Sequence, residues 1–194
     1  MRSHPPRWNS DPAVSGTTSD PEERTGPSAW DAALRLLGVR SRSRQEMVDR
    51  LTRKGFDAET VDDVMIRLER HQLVDDTEFA NEWVRSRHTH SGRGRVALRQ
   101  ELRKKGVDAG IIEAALDDVS PDDERAVAAE LVAKKLTPTQ IDRLLADPAL
   151  RDTMFRRLAG MLMRRGYPQS MAIDVVTEAL DVVTEALDGV NTEV

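Results

Sequence analysis

The chain has no cysteine among its 194 residues, which excludes a disulfide framework, thiolate metal sites and a cysteine nucleophile, and fits a reducing cytoplasm. Aromatic residues are only 4% of the total. A core must therefore be built from Leu, Val, Ala, Ile and Met, a set that suits helices better than strands, whose faces draw on β-branched and aromatic side chains. No apolar run approaches the roughly 18 residues needed to span a membrane. The opening MRSHPPRWNSDP holds no apolar stretch behind its arginine, so no secretory signal is expected.

Catalytic chemistry is also scarce. Of the histidines His4, His71, His88 and His90, only the last two are neighbours. Two positions apart on a helix they point to different faces, and no acidic pair stands near them at metal-ligand spacing. The Gly-x-Gly of SGRGR at 91–95 follows no strand and precedes no Gly-Lys-Ser/Thr, so a phosphate-cradling loop is not expected. Paired acids such as Asp62 with Asp63 and Asp122 with Asp123 read as first-turn dipole partners. The residues point to a protein that is not an enzyme and needs neither cofactor nor metal.

What is present is charge, unevenly spread. Residues 1–28 carry three Arg against four acids, 29–105 seventeen Lys/Arg against thirteen, and 106–194 nine against seventeen, which sum to the overall −5. The sharpest excess is RSRHTHSGRGRVALRQELRKK at 85–105, with eight Lys/Arg and one Glu. A polyanion or an acidic protein face therefore suits the middle of the chain and not its last third.

Also present is repetition. LTRKGF at 51–56 returns as LRKKGV at 102–107 and LMRRGY at 162–167. The five prolines among the first 27 residues, with almost nothing apolar to bury, predict a disordered tail at 1–27. From Ser28 helix starts and apolar periods follow one another. Ser28 with Asp31 opens a helix whose stripe is Trp30, Ala33, Leu34 and Leu37; Ser43 with Glu46 opens one carrying Met47, Val48 and Leu51; Asp57 opens one carrying Val61, Val64, Met65 and Leu68. Gly55 stops the second of these in the left-handed conformation. The pattern restarts at Asp75 and Glu78 with Phe79, Ala80, Trp83 and Val84, passes the loop THSGRG, continues through Val96, Leu98 and Leu102 to Gly106, and resumes at Asp108 with Ile111, Ile112, Ala115 and Leu116. A third copy opens at Ser120 and Pro121 and is interrupted at 137–150 by two further Pro-led helix starts. It stops at Gly166 and ends in a helix from Pro168 through Met171, Val175 and Val176.

The expected fold is therefore all-α: an elongated tandem array of three three-helix, helix-turn-helix-like repeats at 28–73, 74–119 and 120–188, the third with an insertion, and a short tail at 189–194. VVTEALD at 175–181 recurs at 182–188; seven residues are nearly two turns, so Val175, Val176 and Leu180 are re-presented as Val182, Val183 and Leu187. Extra helical turns are the plain reading, and a short docking or self-association seam the sharper one.

Arg95, Arg99 and Arg103 at i, i+4 and i+8 form one stripe beside Leu98 and Leu102. Arg85, Arg87 and Arg93 flank it, Lys104 and Lys105 lie at its end, and Arg40, Arg42 and Arg44 are the first unit's counterpart. These eleven residues are the candidate anionic-partner face. The third helices, AETVDDVMIRL and AGIIEAAL, begin acidic or apolar, so sequence-specific reading of a major groove is not expected, while nonspecific phosphate contact stays open.

The runs RSRSRQEMVDRLTRKGF, LVDDTEFANEWVRSR and GRGRVALRQELRKKGVDAGIIEAAL, with FRRLAGMLMRRGY more loosely, resemble the RecX family of bacterial RecA modulators over about residues 29–180. The family motif falls on Ser43, Glu46, Leu51, Lys54 and Gly55, on Asp75, Asp76, Phe79 and Ala80, and on Leu98, Glu101, Leu102, Lys105 and Gly106. The resemblance implies an elongated array of three tandem three-helix repeats, and a cytoplasmic monomer is expected. Such a protein binds the RecA protein in the groove of its DNA filament and inhibits ATP hydrolysis, coprotease function and strand exchange, modulating recombination, DNA repair and the SOS response. The alternative is a nonspecific nucleic-acid-binding repeat protein that acts by occupying DNA. The tail, the 137–150 insertion and the duplicated heptad depart from the family pattern.

Overall fold

A computed structural model describes residues 27–147 and 149–190. The expected tail at 1–27, apart from Pro27, and residues 191–194 lie outside the described residues, as does Pro148, the second expected proline-led start. Among the described residues there are ten helices and no strand, and no helix is long and apolar enough to cross a membrane. The helices are α1 (Ala29–Leu37), α2 (Arg44–Arg53), α3 (Ala58–Arg70), α4 (Asp76–Ser91), α5 (Arg95–Lys104), α6 (Ala109–Asp117), α7 (Pro121–Ala133), α8 (Pro138–Ala146), α9 (Leu150–Arg164) and α10 (Gln169–Val190).

Helix starts follow the capping chemistry. The Ser28, Ser43, Asp57, Asp75, Asp108 and Ser120 side chains each accept a backbone N–H from the first turn they precede, satisfying donors with no intrahelical partner. The stops repeat as closely. Gly55, Gly106 and Gly166 have φ of 90°, 74° and 89°. At each stop the following residue donates back across the turn, Phe56 to Leu51 O, Val107 to Leu102 O and Tyr167 to Leu162 O. The glycine N–H itself bonds Thr52 O, Arg103 O or Met163 O. This is the Schellman motif, and an L side chain at the left-handed position would be strained.

The helices bury three apolar clusters in chain order. Met47, Leu51, Met65 and Leu68 centre the first, between α1, α2 and α3. Phe79, Leu98, Leu102, Ile112 and Leu116 centre the second, between α4, α5 and α6. The third is built from Ala128, Val132, Leu158, Leu162, Val176 and Leu180 on α7, α9 and α10, with α8 adding Leu144.

Four expectations are corrected. On α1 the buried residues are Ala29, Ala32 and Ala33 while Leu34 is exposed; alanines let α1 approach α2 and α3 closely, so the stripe is set one residue earlier, and Trp30 lies half-buried under the Arg67 guanidinium, 3.8 Å from its ring centre. Val96 is exposed because the core side of α5 is taken by Leu98 and Leu102. THSGRG is not all loop: α4 runs through Ser91 and stops at left-handed Gly92. The second VVTEALD copy does not repeat the burial of the first, since Val175 is 2% exposed and Val182 66%. Arg151, in the first turn of α9, reaches the Leu180 carbonyl and Asp181, so α10 runs on past the end of its neighbour. The Leu187 side chain lies outside those described.

Candidate partner-binding surface

The basic candidates divide into residues the fold consumes and residues it leaves exposed. Arg42 is buried, donates Nε–H to Leu36 O at 3.1 Å and has no hydrogen-bond partner for Nη1 among the described residues. Burial, with Arg40 and Arg50 nearby, lowers its pKa. It is an internal residue and not part of a surface patch. Arg40 pairs with Glu46 at 3.0 Å and Arg44 with Glu69 at 2.8 Å. Arg87 and Arg93 converge on Glu101, which also accepts from Trp83 Nε1.

Two of the three stripe residues are consumed. Arg99 makes a bidentate pair with Glu113, both contacts 2.7 Å, and that hydrogen bonding raises its pKa. Arg95 donates to the Val119 carbonyl at 3.1 Å and stands 3.7 Å from Asp117. These acids lie on or beside α6, out of reach of a helical-period reading of α5 alone. Lys105 sits 4.0 Å over the Trp83 ring and pairs with Glu46 at 2.9 Å. Arg85, Arg103 and Lys104 are exposed and form no ion pair among the described residues.

The consumed residues hold the clusters together. The Ser43 hydroxyl donates to the Lys105 carbonyl at 2.6 Å, and the Arg44 N–H donates to Asp76 at 2.8 Å, so α2 begins against α4 and α5. One step along, the Gly94 N–H donates to Arg165 O at 2.9 Å, the Val96 N–H to Gly166 O at 3.2 Å, and the Arg95 N–H to Glu124 at 2.7 Å, so α5 begins against α7 and α9. Gly94 offers no capping side chain; the carboxylate that replaces one comes from the next unit. Glu124 is 3% exposed, beside the paired acids Asp122 and Asp123, which are exposed. Tyr167 is also buried, donating to Gly92 O at 3.3 Å, and burial together with the Glu124 charge pushes its phenol up to about 12.

Burial alone would raise the Glu46 carboxyl, but hydrogen bonds from Arg40 and Lys105 outweigh it and hold the group at about 2 instead of 4.5. The unfolded chain therefore takes up this proton near 4.5 and the folded chain only near 2, so the stabilisation is present above that window and is lost as pH falls through it. Glu46→Gln is expected to cost about 1–3 kcal/mol at neutral pH. In urea unfolding, the gap between variant and parent should close as pH falls towards about 2.

No group of three or more His, Cys, Asp or Glu among the described residues forms a metal site. His88 is buried, its Nδ1 2.9 Å from Arg93 O and its Nε2 unpartnered among the described residues, on a cleft of about 360 Å³ between α4 and α7. His90 is exposed, as their two-residue spacing requires. The position four residues past Val84 on the core side of α4 was the available signal that His88 turns inward.

Residues 29–68 match the RecX first three-helix domain and 75–116 the RecX second three-helix domain. The chain is similar to the regulatory protein RecX of Mycobacterium sp. (strain KMS), 45% identical over 84% of this chain and 87% of that one. It is also similar to RecX of Mycolicibacterium smegmatis, 43% identical over 91% and 94%. Its fold is similar to the crystal structure of RecX from Lactobacillus salivarius, with TM-score 0.67 and 23% identity over 79% of this chain and 95% of that one.

Proposed function

The chain belongs to the RecX family of regulatory proteins, and from that premise we propose that it binds the RecA recombinase on its DNA filament. There it inhibits ATP hydrolysis, coprotease function and strand exchange, as a cytoplasmic monomer. The observation that carries this reading is the separation of the basic residues: eight of the eleven candidates are engaged within the protein, and Arg85, Arg103 and Lys104 stay exposed without an ion pair among the described residues. Three free cations on neighbouring helices are enough to orient a protein contact by charge complementarity. Within this face they leave few unpaired Lys or Arg for phosphate neutralisation, where each released counterion needs one.

The alternative, antagonism by occupying DNA, is weakened by the same count. Residues 76–117 hold eight Lys/Arg but also seven acids, so α4, α5 and α6 taken together are close to neutral. RecA ATPase on single-stranded DNA separates the readings. With DNA in large excess, inhibition at substoichiometric amounts of this protein is expected from direct filament binding. Inhibition that vanishes whenever free DNA is available would sink the proposal.

A further inference from the structure

Two joints inside the chain share one plan, and the part that receives them occurs a third time. At each joint the first turn of one second helix abuts the glycine stop of the next. Ser43 bonds Lys105 O, and a β-carbon on Gly106 would lie 2.4 Å from Gln45 Cβ. Gly94 bonds Arg165 O, and a β-carbon on Gly166 would lie 2.3 Å from the Ala97 nitrogen. Gly55 has the same positive φ and the same back-bonded turn, yet, beyond Gly55 itself and its chain neighbours Lys54 and Phe56, no described atom lies within 4 Å of where its β-carbon would stand. Neither the Lys54 nor the Gly55 carbonyl accepts a hydrogen bond among the described residues outside the helix ladders. Phe56 is only partly buried, whereas Val107 and Tyr167, its counterparts, are 5% and 3% exposed.

We propose that Lys54–Gly55 is an open joint which takes the first turn of a helix from a partner protein, with a small or hydroxyl residue at its N-cap and a carboxylate in that turn. The two internal joints define the arriving helix start, and the α2 joint alone defines its carboxylate, since α5 has no acid in its first turn. Backbone carbonyls at a helix C-terminus carry partial negative charge, and the free N–H groups of an arriving N-terminus carry the complementary charge. The N-cap is small in both joints, Ser43 and Gly94, because the chains meet at a glycine. The first-turn carboxylate pairs with Lys54 as Glu46 pairs with Lys105.

The corresponding end of a second copy does not supply this helix. The residue twelve before Gly166, matching Ser43 and Gly94, is Met154, which lies inside α9. Its N–H is already committed to the helix ladder. The array is thus closed at its last unit and open at its first. RecA plays no part in the geometry of this joint, so the open joint and the RecA reading can fail independently.

The test is a titration of the ¹⁵N-labelled full chain with a stapled helical peptide of residues 41–53, SRSRQEMVDRLTR. Saturable amide shifts are expected at Lys54, Gly55 and Phe56. Affinity should fall roughly tenfold when the peptide's serine cap and Glu are both alanine, and binding should be lost in Gly55→Asn. Asn tolerates positive φ, and the space there is open, so the variant keeps its fold; Lys54→Glu, with the glycine retained, weakens the same shifts. Absence of shifts at millimolar peptide, or equal shifts in Gly55→Asn, overturns the proposal. So does a Gly55-dependent rise in mass with concentration by light scattering, which would give the joint to a second copy.

Discussion

Gly94→Ala is expected to lower the unfolding free energy by about 3 kcal/mol, at the upper end of what an added methyl costs in a packed site. The φ of Gly94 is −78°, comfortable for alanine, so no backbone strain enters. What enters is contact: the new β-carbon would lie 2.4 Å from Gly166 O, 2.6 Å from its carbonyl carbon and 2.8 Å from the Tyr167 nitrogen. All three are backbone atoms of the adjoining unit and cannot swing aside as a side chain would. Relief requires α5 and α9 to separate, which loosens the Gly94 to Arg165 and Val96 to Gly166 hydrogen bonds together with the buried Glu124 cap. Urea unfolding measures the loss, and hydrogen exchange at the Gly94 and Val96 amides should quicken in the same variant. Unchanged stability and exchange would show that the joint is softer than its distances imply.

The second large effect is on activity. Arg85→Glu, Arg103→Glu and Lys104→Glu in one chain should leave the melting transition within a few degrees of the parent, because exposed unpaired charges contribute roughly 0–1 kcal/mol each. Inhibition of RecA ATPase should weaken by about a hundredfold, since like-charge contact at an interface costs several kcal/mol. The stripe triple, Arg95→Glu, Arg99→Glu and Arg103→Glu, is expected to behave differently. It would set a carboxylate at position 99 against Glu113 and remove the Arg95 bonds to Val119 O and Asp117, so it should lose stability as well as activity. Activity that survives the first triple would move the contact surface away from these exposed cations.

The two triples differ because helical period fixes the side of a helix a residue occupies but not what faces it. Helical period places Arg95, Arg99 and Arg103 on one side of α5, and that is where they are. Whether a residue on that side is free depends on what stands opposite, and the opposing Glu113 lies fourteen residues away. Glu46 was legible as half of a capping box, yet its pairing with Lys105 spans fifty-nine positions. Arg42 sits in a run, VRSRSRQ, whose composition reads as surface; it is buried because the turn between α1 and α2 folds it under Leu36.

The sequence by itself determined the helices, their caps and stops, the all-α class and the family, because these rest on chemistry within about one helical turn and on residue order along the chain. The tertiary structure decided which charges are spent, and why the glycine stop is written three times. Two of its copies are joints between units and one meets no other unit among the described residues, a difference that arises from packing across the array, since the local sequence at Gly55, Gly106 and Gly166 is the same in kind and only their neighbours differ.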